Sequence, residues 1–306
     1  MRVLDVELLS TLQLGRPGGE ARPWSAASGL VRWSSSLYVV ADDELGLAEF
    51  RLDQLRQPGR LWPLLNGTLP QAHAERKARK PDFEVLTPLP ATARWPYGAL
   101  LALGSGATTA RQSAVVLALD AMGQPQGSPQ RRDAAGLFAP LRAAHPGLNI
   151  EGACLSQGRF WLAQRGQPGG GANACIEWSA DAVLHWLQDA AAPAPAPLGQ
   201  QGYELGELDG VPLGFTDLCA LPDGRLAFSA AAEASDHAYA DGAVAGSVLG
   251  WLLPDGRVEF IGRLPGALKV EGIAVQPVPG GLEWLLVTDA DTRSQAAQLL
   301  RVRSQY

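Results

Sequence analysis

The chain has 306 residues, 46% of them apolar and 18% charged, a balance that excludes global disorder. A formal net charge of −6 leaves no basic stripe to release phosphate counterions, which excludes a general nucleic-acid binder. No apolar stretch approaches the roughly 20 residues that span a bilayer. MRVLDVELLS has no basic segment leading into a long apolar run, so a soluble chain is expected, cytoplasmic or already trimmed of an export signal, with no membrane partner.

In chain order, the first strand-like run is VLDVELLSTLQL, which has no partner nearby in sequence. Five units with one internal plan follow. Each starts with an oxygen-bearing residue, often followed by Gly or Asp, and continues as an apolar strand, a turn and a second apolar strand. Ser28-Gly29-Leu30 leads through VRW and SSS to LYVVADDE, and Glu84-Val85-Leu86 leads to GALLALGSG. Glu151-Gly152-Ala153 leads to CLSQGRFWLAQRG. Thr216-Asp217-Leu218 leads to CALPDGRLAFSAAAE, with a hairpin turn at Pro222-Asp223-Gly224. Glu271-Gly272-Ile273 leads to AVQPVPGGLEWLLVTDAD. The lead residues are 56, 67, 65 and 55 positions apart, somewhat longer than a usual propeller blade. After the last lead residue too few residues remain for four strands, so the N-terminal run is expected to pair with LLRVRSQY and close the ring. The pattern predicts an all-β fold, a five-bladed β-propeller occupying residues 1–306 as one domain. Two helical insertions are expected between blades, about 133–145 and about 179–190, the second N-capped by Ser179. The Ala/Pro run after it reads as a stiff connector, and a domain boundary there is the alternative.

Innermost strands line a propeller's channel, so the lead residues Ser28, Glu84, Glu151, Thr216 and Glu271 are expected to ring one mouth. Converging carboxylates repel, and burial raises that cost. A calcium ion removes it, because calcium accepts six to eight mixed oxygens in irregular geometry. Transition metals recruit His or Cys, and His73, His145, His185 and His237 are isolated. Cys154, Cys175 and Cys219, an odd set without CxxC spacing, read as buried apolar residues. The competing reading makes each lead residue a turn cap at the rim.

Ser28-Gly29-Leu30 with LYVVADD, Lys80 before Glu84, Ile150-Glu151-Gly152, Thr216-Asp217-Leu218 and Lys269-Val270-Glu271-Gly272-Ile273 resemble the calcium-activated nucleotidases, the apyrase family. KPDFEVL, LLALGSG with Arg111, and EGIAV equally resemble the phytase-like, esterase-like propellers of bacteria. The first resemblance implies a five-bladed propeller with a central calcium held by Ser and Glu, one from each blade. One departure bears on substrate: Asp42-Asp43-Glu44 stands where the nucleotidases have Asp-Asp-Arg, exchanging a phosphate-facing cation for an anion. Lys80, Arg111 and Arg165 are the candidate substrate-binding cations that would offset it.

Gly104-Ser105-Gly106 lacks the Lys-Ser/Thr of a phosphate loop and reads as a tight turn. GQPGGGANA after Arg165 reads as a mobile loop or a long hairpin. The serine-hydrolase elbow and the zincin motif are missing from the sequence. Asp42, Asp43, Glu233 and Asp289, with Asp236 and Asp291 beside the last two, follow second strands; they are candidate general bases on a metal-activated water, or turn caps. The expectation is a calcium-dependent hydrolase of a phosphate ester or anhydride, acting on a small molecule. The alternatives are a calcium-dependent lactonase or esterase and a non-catalytic calcium-stabilised scaffold.

Overall fold

Runs such as SLYVVA and ALLALG are apolar at both parities, and every residue of the strands they form, Ser36–Ala41 and Ala99–Gly104, is buried. A strand sandwiched between two neighbouring sheets buries both faces and loses the apolar–polar alternation of a half-exposed one. The computed structural model describes residues 1–16, 18–167, 171–234, 242–253 and 255–305, and shows a five-bladed β-propeller built from such strands.

Each of the first four blades is an antiparallel meander in chain order. Blade 1 comprises Ala27–Trp33, Ser36–Ala41, Gly46–Arg51 and Arg60–Pro63; blade 2 comprises Phe83–Leu89, Ala99–Gly104, Ser113–Ala118 and Gln130–Asp133. Blade 3 uses Ile150–Ser156, Arg159–Gln164, Asn173–Ser179 and Gly199–Tyr203. Blade 4 uses Val211–Ala220, Leu226–Ala234, Ala243–Leu252 and Val258–Arg263, with the short strand Glu207–Leu208 added beside Val211 and Pro212. Blade 5 has three strands from the C-terminal part, Lys269–Val278, Gly281–Asp289 and Gln298–Ser304. Its outer strand is Val6–Thr11, paired as Val6 with Val302 and Glu7 with Arg301, which closes the ring as the sequence predicts. The hairpin Gln13–Arg16 and Gly19–Pro23 then carries the chain into blade 1.

Five buried clusters hold the ring, one at each junction between blades. The cluster between blades 2 and 3 is enlarged by helix α2, Ala135–Ala144, and helix α3, Ala180–Gln188, which contribute Phe138, Leu141, Trp186 and Leu187. Ser179 caps α3 by accepting the Ala182 N–H. Helix α3 lies inside blade 3, between its third and fourth strands, rather than between blades as expected. Helix α1, His73–Arg79, links blades 1 and 2 and has no counterpart in the sequence reading. Among the described residues, no helix is long and apolar enough to cross a membrane. The three cysteines are free; Cys154 and Cys175 are buried and Cys219 is half-buried.

Candidate functional site

The inner strand of every blade breaks its pairing register once. The breaks fall between Ala27 and Leu30, Phe83 and Val85, Ile150 and Gly152, Phe215 and Asp217, and Val270 and Gly272. The residues left out are Ser28 with Gly29, Glu84, Glu151, Thr216 and Glu271, so the predicted lead residues are the bulge residues of five β-bulges. A bulge residue drops out of the ladder, and its side chain is re-aimed relative to the regular pleat.

Four of the five, Ser28, Glu84, Glu151 and Glu271, line one cavity of about 110 Å³ at the channel mouth. Thr216 stands at the same bulge but is not among the lining residues. It is buried, and its hydroxyl donates to Ser229 Oγ at 2.8 Å within blade 4, so the predicted ring residue stands at its bulge without lining the cavity. The following position explains how the strands crowd together. A Cβ on Gly152 would lie 2.5 Å from the Leu218 amide nitrogen, and one on Gly29 would lie 2.7 Å from that of Leu86. In blade 4 that position holds Asp217, whose carboxylate accepts the N–H of Leu218 at 2.7 Å and of Ile273 at 2.8 Å, tying blade 4 to blade 5. Burial pushes the Asp217 carboxyl well above its usual range, and the two amides act in the opposite direction.

In an antiparallel pair the second strand ends beside the start of the first. That geometry brings Asp42, Arg165, Glu233 and Asp289, all at or just beyond second-strand ends, to the same cavity. Asp43 goes elsewhere. Its carboxylate meets Arg76 Nε at 3.0 Å and Arg293 at 3.6 Å over a neighbouring side cleft, which takes it out of the candidate bases at the cavity. Glu44, the departure from the nucleotidase pattern, pairs with Arg22 at 2.7 Å and is not a lining residue. Asp236 and residues 168–170 of the Gly-rich segment lie outside the described residues.

Lys80, Arg111 and Arg165 all line the cavity, each engaged by carboxylates. Lys80 pairs with Asp42 and, at 2.8 Å, with Asp82. Arg111 donates to Asp82 at 2.8 Å, and Ser105 Oγ donates to the same carboxylate at 2.5 Å. Arg165 reaches Glu233 at 2.9 Å, Glu151 at 3.5 Å and Glu271 at 3.8 Å. Lys269, at the start of the blade 5 inner strand, contacts Glu271 at 3.3 Å, Glu233 at 3.6 Å and Asp289 at 3.8 Å. Asp82 and Lys269 are site residues that sequence reasoning missed, although each sits two positions before a predicted lead glutamate. One carboxylate oxygen from each of Asp42, Asp82 and Glu84 lies within 4.8 Å of the others, a spacing that suits a shared cation.

Among the described lining residues, seven carboxylates (Asp42, Asp82, Glu84, Glu151, Glu233, Glu271, Asp289) face five cations (Lys77, Lys80, Arg111, Arg165, Lys269). Full ionisation therefore leaves two negative charges, the charge of one divalent cation. Burial pushes Glu84 well above the carboxylate range, and repulsion from Glu151 and Asp82 adds to it. Burial pushes Glu151 up to about 8 against the opposing pull of Arg165, and raises Glu271 against Lys269 and Arg165. Asp42 is pushed up to about 6 by burial, restrained by Lys80. Burial works against the charges of Lys80, Arg165 and Lys269, and the surrounding carboxylates outweigh it and hold all three above their usual values. Glu271 Oε2 is buried with no hydrogen-bond partner, so the resident cations leave part of the acid set unsatisfied. The donors are carboxylates with a Ser hydroxyl and the Asn149 amide nearby, and no His or Cys lines the cavity among the described residues. That oxygen-only set fits a hard cation.

A model of a family of unknown function (DUF6929) matches residues 23–303. Among solved structures, the chain is similar to a glutaminyl cyclase from Myxococcus xanthus, with 12% identity, a TM-score of 0.50 and coverage of 97% of this chain and 96% of that one. It is similar to a luciferin-regenerating enzyme to the same degree, 12% identity and a TM-score of 0.50, covering 99% of this chain and 97% of that one. At this identity the likeness is one of fold. No curated protein matches the chain.

Proposed function

We propose that this chain, which belongs to the DUF6929 family, binds a calcium ion at the channel mouth and hydrolyses a small phosphate ester or anhydride there. The observation that carries the reading is the set of glutamates from blades 2, 3 and 5, aimed by matching bulges at one cavity whose carboxylates, once all are ionised, outnumber its cations by two. Glu84, Glu151 and Glu271 would hold the ion, with Ser28 and Asp82 beside them. Calcium suits donors supplied by separate strands better than magnesium, which demands near-octahedral geometry. When bound, the ion supplies Lewis-acid polarisation of a substrate oxygen. Asp42 is the best-matched base: its carboxyl, pushed up to about 6, is ionised at neutral pH yet still basic enough to take a proton from water. Glu233 and Asp289 are the other candidate bases at the cavity. Lys80, Arg111 and Arg165 orient an anionic group and neutralise charge developing on it. The resemblance of short motifs to the apyrase and phytase-like families favours the same substrate class.

A second reading, a calcium-stabilised scaffold without catalysis, draws on one observation: the cavity's basic side chains are already held by carboxylates. A lactonase or esterase acting on a neutral ester is compatible with the same engagement. Calorimetric titration with calcium, followed by chromogenic phosphate and carboxylate esters with and without chelator, separates the three. Phosphate-ester hydrolysis that chelator abolishes and calcium restores is the expected result. Calcium binding without turnover of any ester would favour the scaffold, and an absence of calcium binding would end the proposal.

A further inference from the structure

We infer that Arg165 is a built-in counter-cation that competes with the divalent ion for Glu151 and Glu271, and that loading the ion leaves Glu233 as its one carboxylate partner. The inference rests on the cation-site reading above and adds how that site is regulated.

Arg165 follows the second strand of blade 3, where its N–H donates to the Asn149 carbonyl at 2.9 Å. Its stem crosses Gly214 of blade 4 so closely that a Cβ there would lie 2.8 Å from Arg165 Cγ. The root of the side chain is therefore fixed, while its head has a choice of partners. The head meets one carboxylate from each of three blades, and the contacts are unequal. Glu233 is nearest at 2.9 Å, Glu151 stands at 3.5 Å and Glu271 at 3.8 Å. Glu233 is anchored from the other side by the Gly242 N–H at 3.1 Å and is not one of the bulge residues proposed to hold the ion. The two weaker partners are proposed ligands. Arg165 at 3.8 Å and Lys269 at 3.3 Å both reach Glu271 through Oε1, and its Oε2 stays buried and unpartnered. A divalent ion against Glu151 and Glu271 would repel the guanidinium at this short range in a poorly screened site. Retreat to Glu233 keeps the arginine's best contact and gives up its two poorest. The arrangement holds the acid set together without an ion and costs the site affinity for one.

The test compares calcium binding by titration calorimetry in the parent protein, Arg165→Met and Arg165→Lys. Removing the competing charge with Met, which keeps an apolar stem, should tighten calcium binding at least about tenfold, while Lys should stay near the parent. Calcium should also raise the melting temperature more in Arg165→Met than in the parent. A crystal of the parent protein grown with calcium provides a measurement that needs no variant to fold. There, Arg165 should contact Glu233 and lie beyond 4 Å from Glu151 and Glu271. Equal or weaker calcium affinity in Arg165→Met, or a calcium-loaded crystal with the three contacts unchanged, would overturn the inference while leaving the calcium site standing. If neither parent nor variant binds calcium, the cation-site reading falls and the competition falls with it.

Discussion

Glu151 is a group whose preferred charge depends on what else is in the cavity. Without an ion, burial holds its carboxyl near 8, so the folded protein keeps a proton at neutral pH that the unfolded chain gives up. A carboxyl whose folded value is raised stabilises the fold fully below its unfolded value and loses that contribution as pH rises through the folded one. In chelator, the melting temperature should therefore fall between about pH 4.5 and pH 8. Glu151→Gln mimics the protonated acid and should flatten that fall. The same substitution removes the charge of a proposed ligand, so calcium affinity should drop at least about tenfold, as it should in Glu84→Gln and Glu271→Gln. Parent-like calcium titration in Glu151→Gln would return the lead residues to the role of turn caps. Asp42 gives a second pH readout. If it is the base, the rate rises with pH as its carboxyl ionises, because the ionised form is the active one, and Asp42→Asn loses that limb. A pH–rate profile with the limb intact in Asp42→Asn would move the base to Glu233 or Asp289.

The bulge is the element that turns five ordinary strands into a site. Its glycines make it intolerant of side chains: Gly152→Ala would press a methyl against the Leu218 amide at 2.5 Å, where the neighbour is backbone and cannot swing aside. Overpacking of that kind costs about 1–3 kcal/mol, so denaturant unfolding should show a loss of that size or larger. The lead positions were legible in sequence because each blade repeats an oxygen residue before its strand, and three repeat the glycine after it. Residue type alone did not reveal where a bulge residue turns. Thr216 satisfies the sequence pattern and still faces Ser229, because blade 4 supplies a hydroxyl partner in the adjoining strand. The acids and the arginine at second-strand ends became site residues only through antiparallel return, which places Asp42 at the cavity and leaves adjacent Asp43 with Arg76. Helix α1 was illegible for another reason. HAERKAR carries four charged residues in seven and has no apolar stripe to mark a helical period.

At the scale of the ring, the proposed calcium site and the blade packing are linked. The proposed ligands come from blades 1, 2, 3 and 5, so an ion that binds only the closed ring stabilises it by mass action, about 2.7 kcal/mol at 100 times its dissociation constant. Chelator should lower the melting temperature, and calcium should restore it better than magnesium; an unchanged curve after verified metal removal would count against the site. The five blades were legible because apolar strand pairs recur at near-constant spacing, and ring closure was legible because the last unit is one strand short. That closure also sets a clock on the ribosome. Thr11 is made nearly 290 residues before its partner Gln298. At ordinary elongation speeds of about 5–20 residues per second, the first strand waits roughly 15–60 s for a partner. During that interval blades 1 to 4 would stack as an open crescent whose unpaired edge is the kind of surface on which aggregation and holdase binding begin. Protection of the Val6–Thr11 segment in a translation time course should therefore appear last, after every later blade has been made.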